Sequence, residues 1–307
     1  MADTVTLPGG RVDESAPPTG HDVPASPPRR RRRRGRASRW SLRTVALLYV
    51  AALVLVPLVI IVYRTFDEGL GRFADLFSDP DAVHAFTLTG EVAAFAVVVN
   101  TVFGLGVSLL LARSRFPGRR LLDVLIDVPV SISPIIVGLA LVLVYGSSTG
   151  WFGSALSSIG FQVIYAVPGM VLATAFVSLP LVVREVLPVL NELGTDQEVA
   201  ARSLGAGPWQ RFWRITLPGI RAGLLYGVVL SIARSLGEFG AVRVVSGDII
   251  GQTQTVTVLV SDRAEQFEPG YYQASLLLIV VSVVAMVVVS LFQHRTPRRP
   301  RPAKESE

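Results

Sequence analysis

The chain has 307 residues, of which 50% are hydrophobic and 17% are charged, and its formal net charge is +6. A soluble domain contains about 25% charged residues, so this composition excludes an ordinary soluble protein. Cysteine is absent, the three histidines are far apart in the sequence, and the single lysine, Lys304, lies in the C-terminal tail. The chain therefore offers no disulfide, no metal-ligand cluster and no phosphate-binding loop with its lysine. We expect no catalytic residue, no metal and no cofactor.

The first 41 residues are rich in proline, serine and arginine, and they include an uninterrupted arginine run, Arg29–Arg34. Such a composition cannot bury enough apolar surface to fold, so we expect residues 1–41 and the basic end, residues 293–307, to be disordered tails. Nucleic-acid binding and attraction to anionic membrane lipid are two possible functions of the run. A topological anchor ahead of the first span is the simpler interpretation, and we favour it over a nucleic-acid partner.

Residues 42–292 contain long apolar blocks. A run of roughly 18 or more apolar residues predicts a transmembrane helix. The chain has six such blocks, Leu42–Tyr63, Val92–Ala112, Leu121–Tyr145, Ile164–Leu190, Ala222–Val245 and Tyr271–Phe292. The predicted fold is therefore all-α, a polytopic transmembrane bundle.

Arginine is concentrated in alternate connections between these spans. The N-terminal run, the turn Arg113–Arg120, the segment Glu198–Arg221 and the C-terminal tail are basic, whereas the other connections are acidic, uncharged or mixed. Because positively charged loops stay on the cytoplasmic side, we expect a multi-pass plasma-membrane protein with both termini in the cytoplasm.

Small residues and helix breakers mark the second and third spans. Gly104, Gly106 and Ser108 are typical of close helix–helix packing. The third span is interrupted by Pro129 and Pro134, and Ser131 and Ser133 lie between these two prolines. A break of this kind is tolerated where it is buried in protein or lines a water-filled cavity, so it indicates either a translocation path or a plain packing kink.

The segment between the fourth and fifth spans, about residues 191–221, predicts two short helices. Thr195 and Glu198 have the spacing of a capping box, and Gly205 is placed to end the first helix in a left-handed conformation. Pro208 is suited to the first position of the second helix, and Pro218 is expected to end it. The three aromatic residues of the segment, Trp209, Phe212 and Trp213, suit either a docking element for a partner protein or a helix lying at the bilayer surface.

The predicted fifth span contains charged residues, which are costly inside a membrane and mark a pathway or a buried pair. Arg234 and Glu238 are four residues apart and are expected to share one helical face. They form either a structural ion pair or a site in which Arg234 lowers the barrier for an anion while Glu238 holds it. Arg243 is expected near the outer end of the same span, where it would make the outer mouth more positive.

The segment after the fourth span resembles the cytoplasmic signature of binding-protein-dependent (MetI-like) ABC importer permeases, in which EAA, a glycine and I-x-LP recur at fixed spacing. Ala200-Ala201, Gly205 and Ile215-Thr216-Leu217-Pro218 fall at these positions. The family's glutamate aligns with Val199, and Glu198 lies one residue earlier. The resemblance implies a type I importer permease fold with a coupling helix seated in a separate ATPase subunit. The implied coupling residues are Glu198, Ala200, Ala201, Gly205, Ile215, Leu217 and Pro218.

Three further stretches, Asp127–Leu139, Val167–Leu190 and Ala233–Gly247, are similar to sulfate/thiosulfate permease subunits of the CysW type, with molybdate permeases next. This resemblance implies a non-catalytic membrane subunit that imports sulfate or thiosulfate. Its implied partners are two ATPase subunits, a second permease of the CysT type and an extracytoplasmic sulfate-binding protein. The candidate path residues are Ser131, Ser133, Pro134, Arg234, Glu238 and Arg243.

Three alternatives remain open from the sequence. The solute is molybdate, tungstate or another oxyanion in the first, and the chain is an ion-coupled secondary carrier in the second. In the third it is a membrane scaffold that does not transport. Against the carrier, intramembrane carboxylates are scarce apart from Glu238 and the shallow Asp123 and Asp127, and the loop signature would go unused.

Overall fold

The computed structural model describes residues 36–67, 69, 71–148 and 150–294, and within these residues it is built from helices without a β-strand. The helices are α1 (Arg36–Asp67), α2 (Gly71–Ser78), α3 (Pro80–Arg113), α4 (Arg119–Ser131), α5 (Pro134–Tyr145), α6 (Gly153–Ser158), α7 (Val167–Leu193), α8 (Asp196–Ser203), α9 (Pro208–Arg211), α10 (Leu217–Leu236), α11 (Gly240–Ser246), α12 (Val256–Glu265) and α13 (Tyr271–His294). The chain divides within α1 into two units, residues 1–54 and 55–307.

The structure confirms the predicted all-α class. Within the described residues, four helices are long and apolar enough to cross a bilayer, namely Arg43–Asp67 of α1, α3, α7 and the continuous helix Pro208–Leu236. The pair α4–α5 is a fifth candidate, and α13 contributes a shorter apolar stretch, Tyr271–Val287. Most of the two predicted tails lies outside the described residues, although α1 already begins at Arg36.

The predicted fifth span, Ala222–Val245, is wrong at both ends. The helix that contains it begins at Pro208 and ends at Leu236, and Gly237 follows as its C-cap. The chain then turns before the separate short helix α11. Hydropathy alone missed this break, because the charged residues Arg234 and Glu238 near the turn lie between longer apolar stretches.

The third span is interrupted, as predicted. The axes of α4 and α5 differ in direction by 112°. The bend follows Ser131, where Ile132 is extended and Ser133 has φ −59° and ψ 134°, a polyproline II conformation, ahead of Pro134. A residue before proline is disfavoured in the helical region, and proline itself fits the first turn of a helix. Pro129 lies inside α4 and is buried, so Pro134 and not Pro129 defines the break.

Helices α3, α7 and α10 pack against one another in all three pairs, and glycines allow the close approach. A Cβ atom on Gly104 would lie 2.8 Å from Val182 Cγ1, and one on Gly227 would lie 3.0 Å from Val182 Cα. Small residues at such contacts let helix backbones approach in a membrane. The predicted packing role is therefore confirmed for Gly104 and for the buried Ser108, whereas Gly106 is exposed.

Candidate functional site

Helix α8 and the turn after it present an uncovered apolar surface, which we call the α8 surface and define as Val199, Ala200, Leu204 and Gly205. The side chains of Val199 and Leu204 are 57% and 88% exposed. Gly205 ends α8 with φ +85°, as predicted, and a Cβ atom there would meet no other atom within 4 Å. No other part of the described chain therefore covers this surface.

The predicted capping box at the start of α8 is wrong. Thr195 is the N-cap residue, but its side chain makes no capping hydrogen bond. Glu198 turns away from it, and its Oε1 accepts hydrogen bonds from Arg113 Nη2 at 3.0 Å and from Thr216 Oγ1 at 2.9 Å. An ion pair to a residue at the end of α3 has replaced the local cap.

The prediction that Pro218 ends the second helix is also wrong. Residues Phe212–Thr216 form a π-helical turn, in which Leu217 N–H bonds to the carbonyl of Phe212, five residues back. A proline clashes with the carbonyl four residues before it in a regular α-helix. The π-turn shifts the hydrogen-bond register at this point, so Pro218 falls in the first turn of α10 and the helix continues. Pro208 does begin a helix, as predicted.

Three aromatic rings lie on the first turns of this continuous helix. Ring centroids are 6.1 Å apart for Trp209 and Phe212, and 5.6 Å apart for Phe212 and Trp213. Trp209 and Trp213 remain 71% and 50% exposed. The aromatic group follows the α8 surface directly in sequence and enlarges the apolar area that a partner or the bilayer surface can cover.

The predicted coupling residues divide between the surface and the core. Ala200, Gly205 and Pro218 are exposed, whereas Ala201 and Ile215 are half-buried. Leu217 packs against the buried cluster that joins the ends of α7 and α10. The residues of the sequence motif therefore do not form one continuous surface.

Two breaks in the bundle lie against each other. A Cβ atom on Gly240, at the start of α11, would be 3.2 Å from Pro134 Cβ at the start of α5. One turn further along α5, a Cβ atom on Gly138 would be 2.8 Å from the carbonyl oxygen of Ala241. Ser131 and Ser133 are exposed beside this crossing. The crossing brings the polar break of α4–α5 next to the charged turn after α10.

Arg234 and Glu238 are in contact, although they do not share a helix as predicted. Arg234 Nη1 lies 2.7 Å from Glu238 Oε2, and the side chains are 37% and 2% exposed respectively. The contact lacks hydrogen-bond geometry, so Oε2 has no hydrogen-bond partner in the described residues. Glu238 Oε1 accepts the backbone N–H of Ala241 at 3.0 Å. The buried carboxylate of Glu238 thus accepts a hydrogen bond from the first turn of α11 and forms an ion pair with the partly exposed guanidinium of Arg234.

Arg243 lies on α11 and not at the end of a fifth span. Its Nη1 donates to Asp262 Oδ1 at 2.7 Å. The two residues form a neutral pair, so Arg243 adds no net positive charge at this position. Gln254 links Asp262 to Asp248 by hydrogen bonds. Burial raises the pKa of Asp248, and the Asp262 carboxyl raises it further.

Two polar networks were not recognised from the sequence. In the first, Arg184 of α7 binds Asp123 at 3.0 Å and also contacts Asp127. In the second, Asn100 donates to Ser178 at 2.7 Å in the interior between α3 and α7. The presence of a charge within an apolar run was the available signal for the first network, but nothing local indicates its partner.

The fold and these sites define a class of protein: a polytopic helical membrane protein with broken spans and an uncovered helical loop, as transporters have. Among solved structures, the chain superposes on a bacterial alginate ABC transporter with a TM-score of 0.70 at 19% identity, covering 84% of this chain and 96% of that one. At this identity the similarity shows the fold alone.

Residues 104–298 match the family of binding-protein-dependent transport system inner membrane components. The chain is 47% identical to the sulfate transport system permease protein CysW of Synechococcus elongatus, over 84% of this chain and 90% of that protein. It is 36% identical to the CysT permease protein of Escherichia coli over 83% of this chain and 92% of that protein. The chain belongs to this family of transport permeases.

Proposed function

We propose that the chain is the membrane permease subunit of an ABC importer for sulfate or thiosulfate. The observation that supports this most is the 47% identity to a CysW sulfate permease over most of both chains. Because the 41% identity to CysW of Escherichia coli also extends over 92% of that relative, the similarity is not confined to the coupling loop.

In this proposal the α8 surface is the docking site for a cytoplasmic ATPase subunit. The exposed Val199 and Leu204 offer an apolar area, and a short helix laid into a groove is a common recognition mode. The arginine-rich connections support placement of this end in the cytoplasm, with both termini on that side. The assembly contains two ATPase subunits, a second permease of the CysT type and an extracytoplasmic binding protein.

The proposed path for the anion runs beside the crossing of the two breaks. Ser131 and Ser133 supply hydroxyl groups, and Pro134 fixes the break that exposes them. Arg234 offers a partly exposed cation, which the buried Glu238 orients. The neutral pair of Arg243 and Asp262 borders the same region through α11. A desolvated anion needs such donors, because the hydrocarbon supplies none.

Uptake of labelled sulfate by cells that lack this chain, with and without the gene restored, tests the proposal. We expect restored uptake that excess unlabelled thiosulfate suppresses and excess molybdate does not. Suppression by molybdate at concentrations lower than those of sulfate would instead support the molybdate alternative. No difference between the two cell lines would contradict a transport role.

A further inference from the structure

One polar cluster ties α8 to the membrane helices. We call it the Arg113 node and define it as Arg113, Leu190, Glu198 and Thr216. Arg113 is the last residue of α3. Its Nη1 donates to the carbonyl oxygen of Leu190 in the last turn of α7 at 3.3 Å, and its Nη2 donates to Glu198 of α8 at 3.0 Å. Thr216, where α10 begins, donates to the same carboxylate oxygen at 2.9 Å.

The node is shielded from solvent. The side chains of Arg113 and Glu198 are only 18% and 17% exposed, and Thr216 is buried. A charged hydrogen bond is stronger than a neutral one, and low local polarity weakens screening of the pair by salt. The contact is therefore a stable part of the fold and differs from an exposed ion pair, which contributes little.

The node lies at the edge of a packed apolar cluster. Val186, Leu190 and Ile220 are fully buried there, and they join the ends of α7 and α10 with residues of α3 packed against them. The same three helices form the glycine-lined contacts further into the bundle. The Glu198 carboxylate connects α8 directly to α3 and to the start of α10, and Arg113 extends the connection to α7. A displacement of α8 is therefore transmitted to all three helices.

The orientation of α8 assigns different roles to two neighbouring residues. Val199, which aligns with the glutamate of the family motif, points away from the bundle and is 57% exposed. Glu198 points toward the bundle, and its carboxylate is occupied by Arg113 and Thr216. Glu198 consequently does not present its charge on the docking surface.

We propose that Arg113 and Glu198 are positioning residues that couple α8 rigidly to the three core helices, so that movement of the ATPase opens and closes the permease. This inference rests on the proposed function, since it concerns the transmission of movement from the docked ATPase. It adds that the glutamate of this chain acts inside the permease and not at the subunit interface.

The test compares Arg113→Gln and Glu198→Gln in the complete reconstituted importer, with sulfate uptake and ATP hydrolysis measured in the same vesicles. Arg115→Gln is the matched control, because Arg115 is exposed in the same turn. We expect the ATPase to remain bound in each variant, while sulfate transported per ATP falls about tenfold, within the usual range of coupling free energies. Exchange of the charges, Arg113→Glu with Glu198→Arg, should restore part of the ratio.

Two results would overturn the inference. One is an unchanged ratio in both single variants. The other is loss of the ATPase from Glu198→Gln but not from Arg113→Gln, which would place Glu198 at the interface. If the single variants fail to accumulate, Thr216→Val removes one hydrogen bond with little change of shape and should lower the ratio by a smaller factor.

Hydrogen exchange of the permease alone in lipid separates this inference from the proposed function. The node predicts that the backbone amides of α8 exchange faster in Arg113→Gln than in Arg115→Gln, whatever the chain transports. Equal exchange in the two variants would refute the node. Faster exchange without sulfate uptake by the unmodified importer would refute only the proposed function.

Discussion

At the scale of single residues, Gly205 combines an unusual backbone conformation with an open position. Its φ is +85°, and a side chain there would point into empty space. An L-residue with a Cβ atom in the left-handed region costs roughly 1–2 kcal/mol. The space itself imposes no further cost within the chain. Substitutions of different size at this position therefore distinguish the effect of backbone strain from the obstruction of a docked partner.

We predict that Gly205→Trp abolishes uptake while the protein still accumulates in the membrane, because the indole occupies the position of the docked ATPase. Gly205→Ala carries the same backbone strain of roughly 1–2 kcal/mol without the bulk and should retain most uptake. Co-purification of the ATPase with each variant, measured beside uptake, distinguishes the two effects. Equal losses in Ala and Trp would mean that strain, and not docking, decides the outcome.

Glu198 and Thr195 show why a local pattern can mislead. Their spacing is that of a capping box, yet Glu198 bonds to Arg113, 85 residues earlier in the chain. A charged partner in a half-buried position outcompetes a neutral backbone N–H at an exposed helix end. No local signal identifies this partner, so the node could not be predicted from the sequence.

At the scale of helices, hydropathy and proline position predicted most of the elements. The residue before Pro134 could not continue a helix, and the break occurred there. The expectation that Pro218 ends a helix failed, because the π-turn at Phe212–Thr216 changed the hydrogen-bond register before the proline. The turn after Leu236 was missed as well, since the buried Glu238 that starts α11 looks in sequence like another residue of the same span.

The crossing of α5 and α11 gives a prediction about packing. A Cβ atom on Gly138 would be 2.8 Å from both the carbonyl oxygen of Ala241 and Val244 Cβ. Backbone atoms cannot move away as the end of a flexible side chain can. Gly138→Ala should therefore destabilise the protein by about 1–3 kcal/mol, the usual cost of overpacking. A lowered temperature of unfolding in detergent, together with reduced uptake, would show this.

Gly106→Ala is the control for that experiment. Gly106 also lies within an apolar helix, but a Cβ atom there meets nothing within 4 Å. Alanine has a helix propensity about 1 kcal/mol more favourable than that of glycine, so this variant should be at least as stable as the unmodified protein. If both alanine variants behaved alike, the close crossing at Gly138 would not exist in the protein.

At the scale of the whole molecule, the proposed import needs an energy source, which the proposal places in the separate ATPase subunits. A divalent anion that enters against an inside-negative potential of 100 mV requires about 4.6 kcal/mol, and each tenfold concentration ratio adds about 1.4 kcal/mol. The chain has no phosphate-binding loop, because its only lysine is Lys304. A secondary carrier would use carboxylates of its spans, and two of the carboxylates that could serve are held in ion pairs, Glu238 with Arg234 and Asp123 with Arg184.

We therefore predict that the purified chain alone, in lipid vesicles, does not accumulate sulfate under an imposed proton or sodium gradient. Addition of the ATPase, the second permease and the binding protein should give accumulation that depends on ATP and stops with vanadate. The complete assembly with Gly205→Trp is the matched control and should behave like the chain alone, because its ATPase cannot dock. Accumulation by the chain alone under a proton gradient would contradict the importer and support the ion-coupled carrier. In such a carrier, transport would be coupled to ion movement through the carboxylates of the spans and not to movement of α8.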